Sequence, residues 1–278
     1  MDLFPHPGGI YGNILFAFST TTLVIATSAP SVTRESTSTL RTLPCPPGAS
    51  GVELSLFLYG DSDRSKTRVF CERVKKGMTV LDLGAHIGYY TLMAARLVGT
   101  EGTVFAFEPD PKNFSLLERN VALNGYKNVT LVQKAVSDKT GAARFYLDTE
   151  SWGHSLSPIE RSLESISVST ICLDQFIPEG TVVDFIKINI EGAEGRAIRG
   201  MERLLGKGDT KAIMIDFHLE EMESQNSSSK EIWDRLAAFG FEMYYIQDNG
   251  TSKIEFEQAL YMANKQKGGI PLLCMRRE

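Results

Sequence analysis

The stretch Thr79-Val80-Leu81-Asp82-Leu83-Gly84-Ala85-His86-Ile87-Gly88-Tyr89-Tyr90-Thr91 constrains the fold more than any other part of the chain. A short apolar run enters a turn carrying Gly84 and Gly88 and continues into helix-forming sequence. Strand, glycine turn and helix in succession make a nucleotide site in α/β proteins. Glycine lets the backbone approach a ligand, and the helix N-terminus offers unpaired N–H groups. A second apolar run, Val104-Phe105-Ala106-Phe107, ends in Glu108, which lies 24 residues beyond Gly84 (108 − 84). A carboxylate at that spacing, on the tip of the neighbouring strand, suits the two ribose hydroxyls of an adenosine-bearing ligand.

A dinucleotide turn requires G-x-G-x-x-G, so that a pyrophosphate can rest on it. Here His86 occupies the middle of the turn, and Asp82 and Glu108 would repel two phosphates. Two acids suit a ligand with an ammonium group and a ribose, so the expected cofactor is S-adenosyl-L-methionine. A nicotinamide dinucleotide, or a glycine turn that holds no ligand, stands as the alternative. The expected cofactor-binding residues are Asp82, Gly84, Ala85, His86, Gly88, Tyr89, Glu108, Pro109, Asn113 and Ala135. Tyr89 and Tyr90 also suit helix packing, with one of them bordering the methionine end.

Composition excludes some classes. Net charge is −5 and no long run of Lys or Arg occurs, so the electrostatic footprint of a nucleic-acid binder is absent. Cys45, Cys71, Cys172 and Cys274 lack ligand spacing; neither a zinc site nor a disulfide framework follows, and a reducing, cytoplasmic setting is expected. Residues 1–50 differ from the rest: Leu3 to Thr33 carries no Lys, Arg, Asp or Glu, and Pro30 to Ser50 is rich in Ser, Thr and Pro. They read as an N-terminal extension and linker before a domain at 51–278. Residues 10–29 are the alternative, a signal or membrane anchor, although Ser19-Thr20-Thr21-Thr22 interrupts them and no basic segment precedes them.

From there strands and helices alternate. Strands are expected at Val52–Tyr59, Thr79–Leu83, Val104–Phe107, Val129–Gln133, Val182–Ile190, Ala212–Phe217, Phe241–Ile246 and Pro271–Met275. Helices are expected at Ser65–Lys76, Ile87–Val98, Asn113–Asn124, Ala193–Leu205 and Lys230–Phe239, with extra strands Ala142–Leu147 and Ile166–Thr170 around the polar loop Trp152-Gly153-His154-Ser155. Such alternation implies an α/β, doubly wound, mostly parallel sheet with its site at the carboxyl ends of the strands.

Four blocks carry a family resemblance: Asp82-Leu83-Gly84-Ala85-His86-Ile87-Gly88-Tyr89-Tyr90, Phe107-Glu108-Pro109-Asp110-Pro111, Asn120-Val121-Ala122-Leu123-Asn124-Gly125 and Lys187-Ile188-Asn189-Ile190-Glu191-Gly192-Ala193-Glu194. Together they resemble the FkbM family of S-adenosylmethionine-dependent methyltransferases, over roughly Val52 to Met275. The resemblance implies a class I methyltransferase (Rossmann-like) sheet whose last strand is antiparallel, and O-methylation of a hydroxyl on a sugar or other small metabolite. Two positions depart from the family: His86 stands where Asn is usual, and Asn189 where the family has Asp. Asn can hydrogen-bond but cannot act as a base.

Methyl transfer to an alcohol needs in-line geometry and a base within hydrogen-bond reach. Lys187, Asn189 and Glu191 are therefore expected to organise the catalytic site, with His218 or His154 as base, and no metal is expected. A buried Lys187 needs a partner, for which Glu191 or Glu194 would serve. The expected partner is a small hydroxylated acceptor. A nucleic-acid methyltransferase, a non-catalytic cofactor binder and a nicotinamide oxidoreductase are the competing readings.

Overall fold

The computed structural model describes residues 63–148, 153–156, 164–218, 222, 228–265 and 269–277. The extension at 1–50, the candidate anchor at 10–29, the strand expected at Val52–Tyr59 and Trp152 of the polar loop lie outside the described residues.

The chain enters α1 (Arg64–Arg73), capped by the Asp63 side chain, which accepts from the Lys66 N–H. Next come β1 (Thr79–Leu83), α2 (Tyr89–Val98) and β2 (Thr103–Phe107). Then α3 (Pro111–Leu123) starts on Pro111, with the Asp110 carboxylate accepting from the N–H groups of Lys112 and Asn113. β3 (Val129–Val132), β4 (Ala135–Val136), β5 (Gly141–Leu147) and β6 (Glu164–Ile171) follow, and then a single turn, α4 (Leu173–Phe176). β7 (Phe185–Ile188) leads to α5 (Glu194–Arg199) and α6 (Glu202–Gly206). The chain closes with β8 (Ala212–Phe217), α7 (Ser229–Ala238), β9 (Phe241–Gln247), β10 (Gly250–Lys253), α8 (Phe256–Ala263) and β11 (Ile270–Arg276).

Among the described residues eight strands form one sheet in the order β10-β9-β11-β8-β7-β1-β2-β3, and β4-β6-β5 form a second, smaller sheet. β1 lies parallel to β2 and β7, β2 to β3, and β7 to β8. β11 runs antiparallel to both β8 and β9 and sits between them, so the reversed strand is last in sequence and interior in space. Apolar clusters cover both faces of the main sheet, and every residue of β7 is buried, as befits a strand with helices on either side.

The structure corrects several boundaries. β7 is shorter than the apolar run Val182–Ile190, because Val182 is 47% exposed before the strand and Asn189 turns out of it after the strand. The helix expected at Ala193–Leu205 breaks in two at Gly200-Met201. There a Cβ on Gly200 would lie 2.2 Å from the Ser137 carbonyl oxygen, and the Asp174 carboxylate starts α6 by accepting from Arg203 and Leu204 N–H (2.7 and 3.0 Å). β10, an antiparallel edge strand, and α8 add to the expected elements; β10 is the polar run Gly-Thr-Ser-Lys, without the apolar alternation that marks a strand. No helix among the described residues is long and apolar enough to cross a membrane.

Candidate active site

The turn between β1 and α2 is built by close approach. Gly84 has φ +77°, and a Cβ there would fall 1.9 Å from the Asn189 carbonyl oxygen, so only glycine lets the turn rest on the end of β7. His86 follows with φ 52°, a left-handed conformation that is uncommon for a side-chain-bearing residue. Its backbone N–H donates to Glu108 Oε2 (2.8 Å), while the Asp110 N–H donates to Oε1 (2.9 Å). Asn120 on α3 donates to the Ile87 carbonyl (2.7 Å), pinning the far side of the turn. Glu108 is thus held at both oxygens with a lone pair remaining on each. Burial outweighs those two hydrogen bonds and pushes its pKa up to about 7.

A cavity of about 260 Å³ opens at the carboxyl ends of β1, β2 and β7. Of the expected cofactor residues, Gly84, Ala85, His86, Tyr89, Glu108, Pro109, Asn113 and Ala135 line it. Of the expected catalytic residues, Lys187, Asn189, Glu191 and His154 line it as well. Asp82, Gly88 and His218 are not among the lining residues. Gly88 works at the start of α2, with φ 98°, where a Cβ would meet Leu117 at 2.7 Å. The wall also includes residues outside the expected sets: the α1 cap Asp63 and Lys66 of α1, Lys134 after β3, and apolar Val136, Phe145 and Leu156. None of these carries a motif; the topology alone brings α1 and the small sheet to the cavity.

Asp82 instead faces Lys187. Register pairs the two residues across β1 and β7, and the Lys187 ammonium lies 3.1 Å from Asp82 Oδ1 and donates to the Gly84 carbonyl (2.7 Å). Thr91 Oγ1 donates to the other Asp82 oxygen (2.6 Å). The buried lysine's partner is therefore Asp82, in place of the expected Glu191 or Glu194; Glu194 is taken by His218. His218 places Nδ1 2.9 Å from Glu194 Oε1 and Nε2 3.3 Å from Glu191 Oε2. Burial pulls its pKa down, but the two carboxylates prevail and carry it to about 10. Protonated and behind the wall, His218 is not positioned to take a proton from a ligand, as one of the two expected base candidates was to do.

His154, the other candidate, faces the cavity with Nδ1 accepting from the Asp148 N–H (2.9 Å). Burial lowers its pKa against the pull of Asp110 and Asp148, so the ring is neutral and its proton sits on Nε2. In that tautomer it offers a donor and no basic nitrogen. His86 is held neutral too, with burial first and then the Lys187 charge taking its pKa to about 3. Asn189 presents a buried Oδ1 that has no hydrogen-bond partner among the described residues. No group of three or more His, Cys, Asp or Glu among the described residues is arranged to hold a metal ion.

The sheet order, with one reversed strand inserted beside β8 and a cavity at the β1–β2 tips, defines a class I methyltransferase fold. The Methyltransferase FkbM domain matches residues 82–243, and the chain belongs to that family, which uses S-adenosyl-L-methionine. Methyltransferase 1 of Beauveria bassiana is 26% identical over 145 residues, covering 44% of this chain and 58% of that protein. Hexuronic acid methyltransferase AglP of Haloferax volcanii is 26% identical over 165 residues, covering 58% of this chain and 64% of that protein. The chain thus spans less than two thirds of these curated relatives. Among solved structures, methyltransferase FkbM from Methylobacillus flagellatus KT aligns with TM-score 0.45 at 13% identity, covering 86% of this chain and 57% of that one.

Two measurements probe this geometry. Lys187→Met leaves the Asp82 carboxylate buried without its cation, and urea unfolding is expected to show a loss of about 3–5 kcal/mol, part of it recovered in Asp82→Asn/Lys187→Met. Glu108 has a folded pKa raised from 4.5 to about 7, so its contribution to stability is present below about pH 4.5 and is lost as pH rises through 7. Comparing wild type with Glu108→Gln from about pH 4.5 to about pH 8, the stability difference is expected to move by about 3 kcal/mol in favour of Gln.

Proposed function

We propose that this chain transfers the methyl group of S-adenosyl-L-methionine to a hydroxyl of a sugar or comparable small hydroxylated metabolite. The observation that carries the reading is Glu108, buried at a strand tip beside the glycine turn and facing a cavity, with both oxygens oriented by backbone N–H groups. Its remaining lone pairs suit the two ribose hydroxyls of the donor. The unpartnered, buried Asn189 Oδ1 asks for a donor group such as an ammonium or a hydroxyl. When bound, the donor supplies an electrophilic methyl group on a cationic sulfur. Lys187 shares the cavity wall without opposing that charge, because Asp82 neutralises it.

An acceptor hydroxyl must release a proton as its oxygen gains carbon. Glu191 is the carboxylate we assign to receive it: it lines the cavity, whereas Asp63 caps α1 and pairs with Lys66, and both histidines are engaged as described. Apolar Val136, Phe145 and Leu156 on the wall limit water beside that transfer. The likeness to a protein described as a hexuronic acid methyltransferase favours a sugar acceptor, and the acidic composition speaks against nucleic acid. We place the reaction in the cytoplasm, as the cysteine usage suggests. A second reading, a weakly active or non-catalytic cofactor binder, has one specific observation behind it: an amide, Asn189, stands in the cavity wall at the position of the family's Asp.

Methyl-labelled donor offered with a panel of neutral sugars and uronic acids tests the activity; label in none of them would sink the reading. Glu191→Gln is expected to cut turnover at least about 100-fold while calorimetry finds donor affinity within about threefold of wild type. Asn189→Asp is expected to leave turnover no higher than wild type. A gain of about tenfold or more would mean that the amide had replaced a working base, and would favour the second reading.

A further inference from the structure

We infer that His218 and Glu194 form a buried positioning pair that fixes the Glu191 carboxylate at the cavity and keeps it ionised; the inference rests on the assignment of Glu191 as base in the proposed methyl transfer. The geometry carries it. Both ring nitrogens of His218 are within hydrogen-bond reach of carboxylate oxygens, at 2.9 Å for Glu194 and 3.3 Å for Glu191. With both glutamates ionised each oxygen only accepts, and filling both contacts then takes a proton on each nitrogen, an imidazolium. Its elevated pKa agrees.

The ring is trapped. Gly269, leading into β11, backs it so tightly that a Cβ there would lie 2.8 Å from Nε2. Glu194, completely buried in the first turn of α5, also accepts from the Gly192 N–H (3.1 Å). Glu191 itself has φ 49°, a strained conformation for a residue with a side chain, and the Ser155 hydroxyl holds its carbonyl (2.7 Å). Among the described residues, the charges acting on the ring are Glu191 and Glu194 from the β7–α5 segment and Asp216 from β8, the last neutralised by Lys66 of α1 (2.8 Å).

The consequence appears on comparing two acids of one cavity. Glu108 is held by neutral backbone donors and burial drives its pKa to about 7. Glu191 has a full cation beside it, and an opposite charge at that range favours the ionised form. One wall residue is thereby kept as a hydrogen-bonding site for a ribose and the other as a charged base, without any difference in side-chain type.

Carboxyl-carbon NMR on ¹³C-glutamate protein tests this without an acceptor. Wild-type Glu191 is expected to titrate at or below an ordinary carboxyl, and in His218→Gln its midpoint is expected to rise by about one pH unit or more. Glu194→Gln, nearly isosteric, is expected to lower the midpoint of the His218 ring by at least about one unit in ¹⁵N spectra, with calorimetric affinity for S-adenosylhomocysteine unchanged in both variants. An identical Glu191 midpoint in wild type and His218→Gln, or a wild-type His218 that titrates near 6.5, overturns the inference. These titrations decide the pair even if no sugar in the panel accepts a methyl group, so its failure is separable from failure of the proposed function.

Discussion

The contact between the β1–α2 turn and the end of β7 is the constraint on which the site depends. Gly84 closes to the Asn189 carbonyl where no Cβ would fit, and the Lys187 ammonium reaches over to the Gly84 carbonyl and Asp82. Both strands are buried, so a lone ammonium or carboxylate there would be untenable, and each residue makes the other possible. The pair ties the two central strands at the level where the cavity opens. It also removes a free cation from a pocket in which a positive donor is expected to bind.

Around that anchor, acids of the same type behave differently because their neighbours differ. Asp82 is spent on Lys187 and Thr91, Glu108 on two backbone N–H groups, Asp110 on the start of α3, and Glu194 on His218. What a carboxylate does here is decided by whether it meets a neutral donor or a cation, and by how far it is removed from water.

Much of the architecture was legible in the sequence because its signals are local. Apolar runs broken by glycine locate β1, α2, β2 and α3 within a residue or two, and the position of Glu108 at a strand tip follows from spacing alone. The apolar run Val182–Ile190 overstates β7, since apolar composition continues beyond the point where pairing ends. α1 at the cavity mouth was unreadable as a site element: Asp63 and Lys66 belong to no motif and reach the pocket only through the way α1 packs.

The sequence by itself determined an alternating α/β chain, a glycine turn without the spacing for a pyrophosphate, and an acid on the adjoining strand; these follow from periodicity and from what glycine permits. Only the tertiary structure decided which charges meet. Residues 82 and 187, or 191, 194 and 218, are brought together by strand register and a turn with left-handed backbone, and no spacing along the chain encodes those distances. Ionisation in a buried pocket depends on such neighbours at a few ångströms, and His218, expected from its sequence position to act as a base, lies between two glutamates and outside the cavity lining.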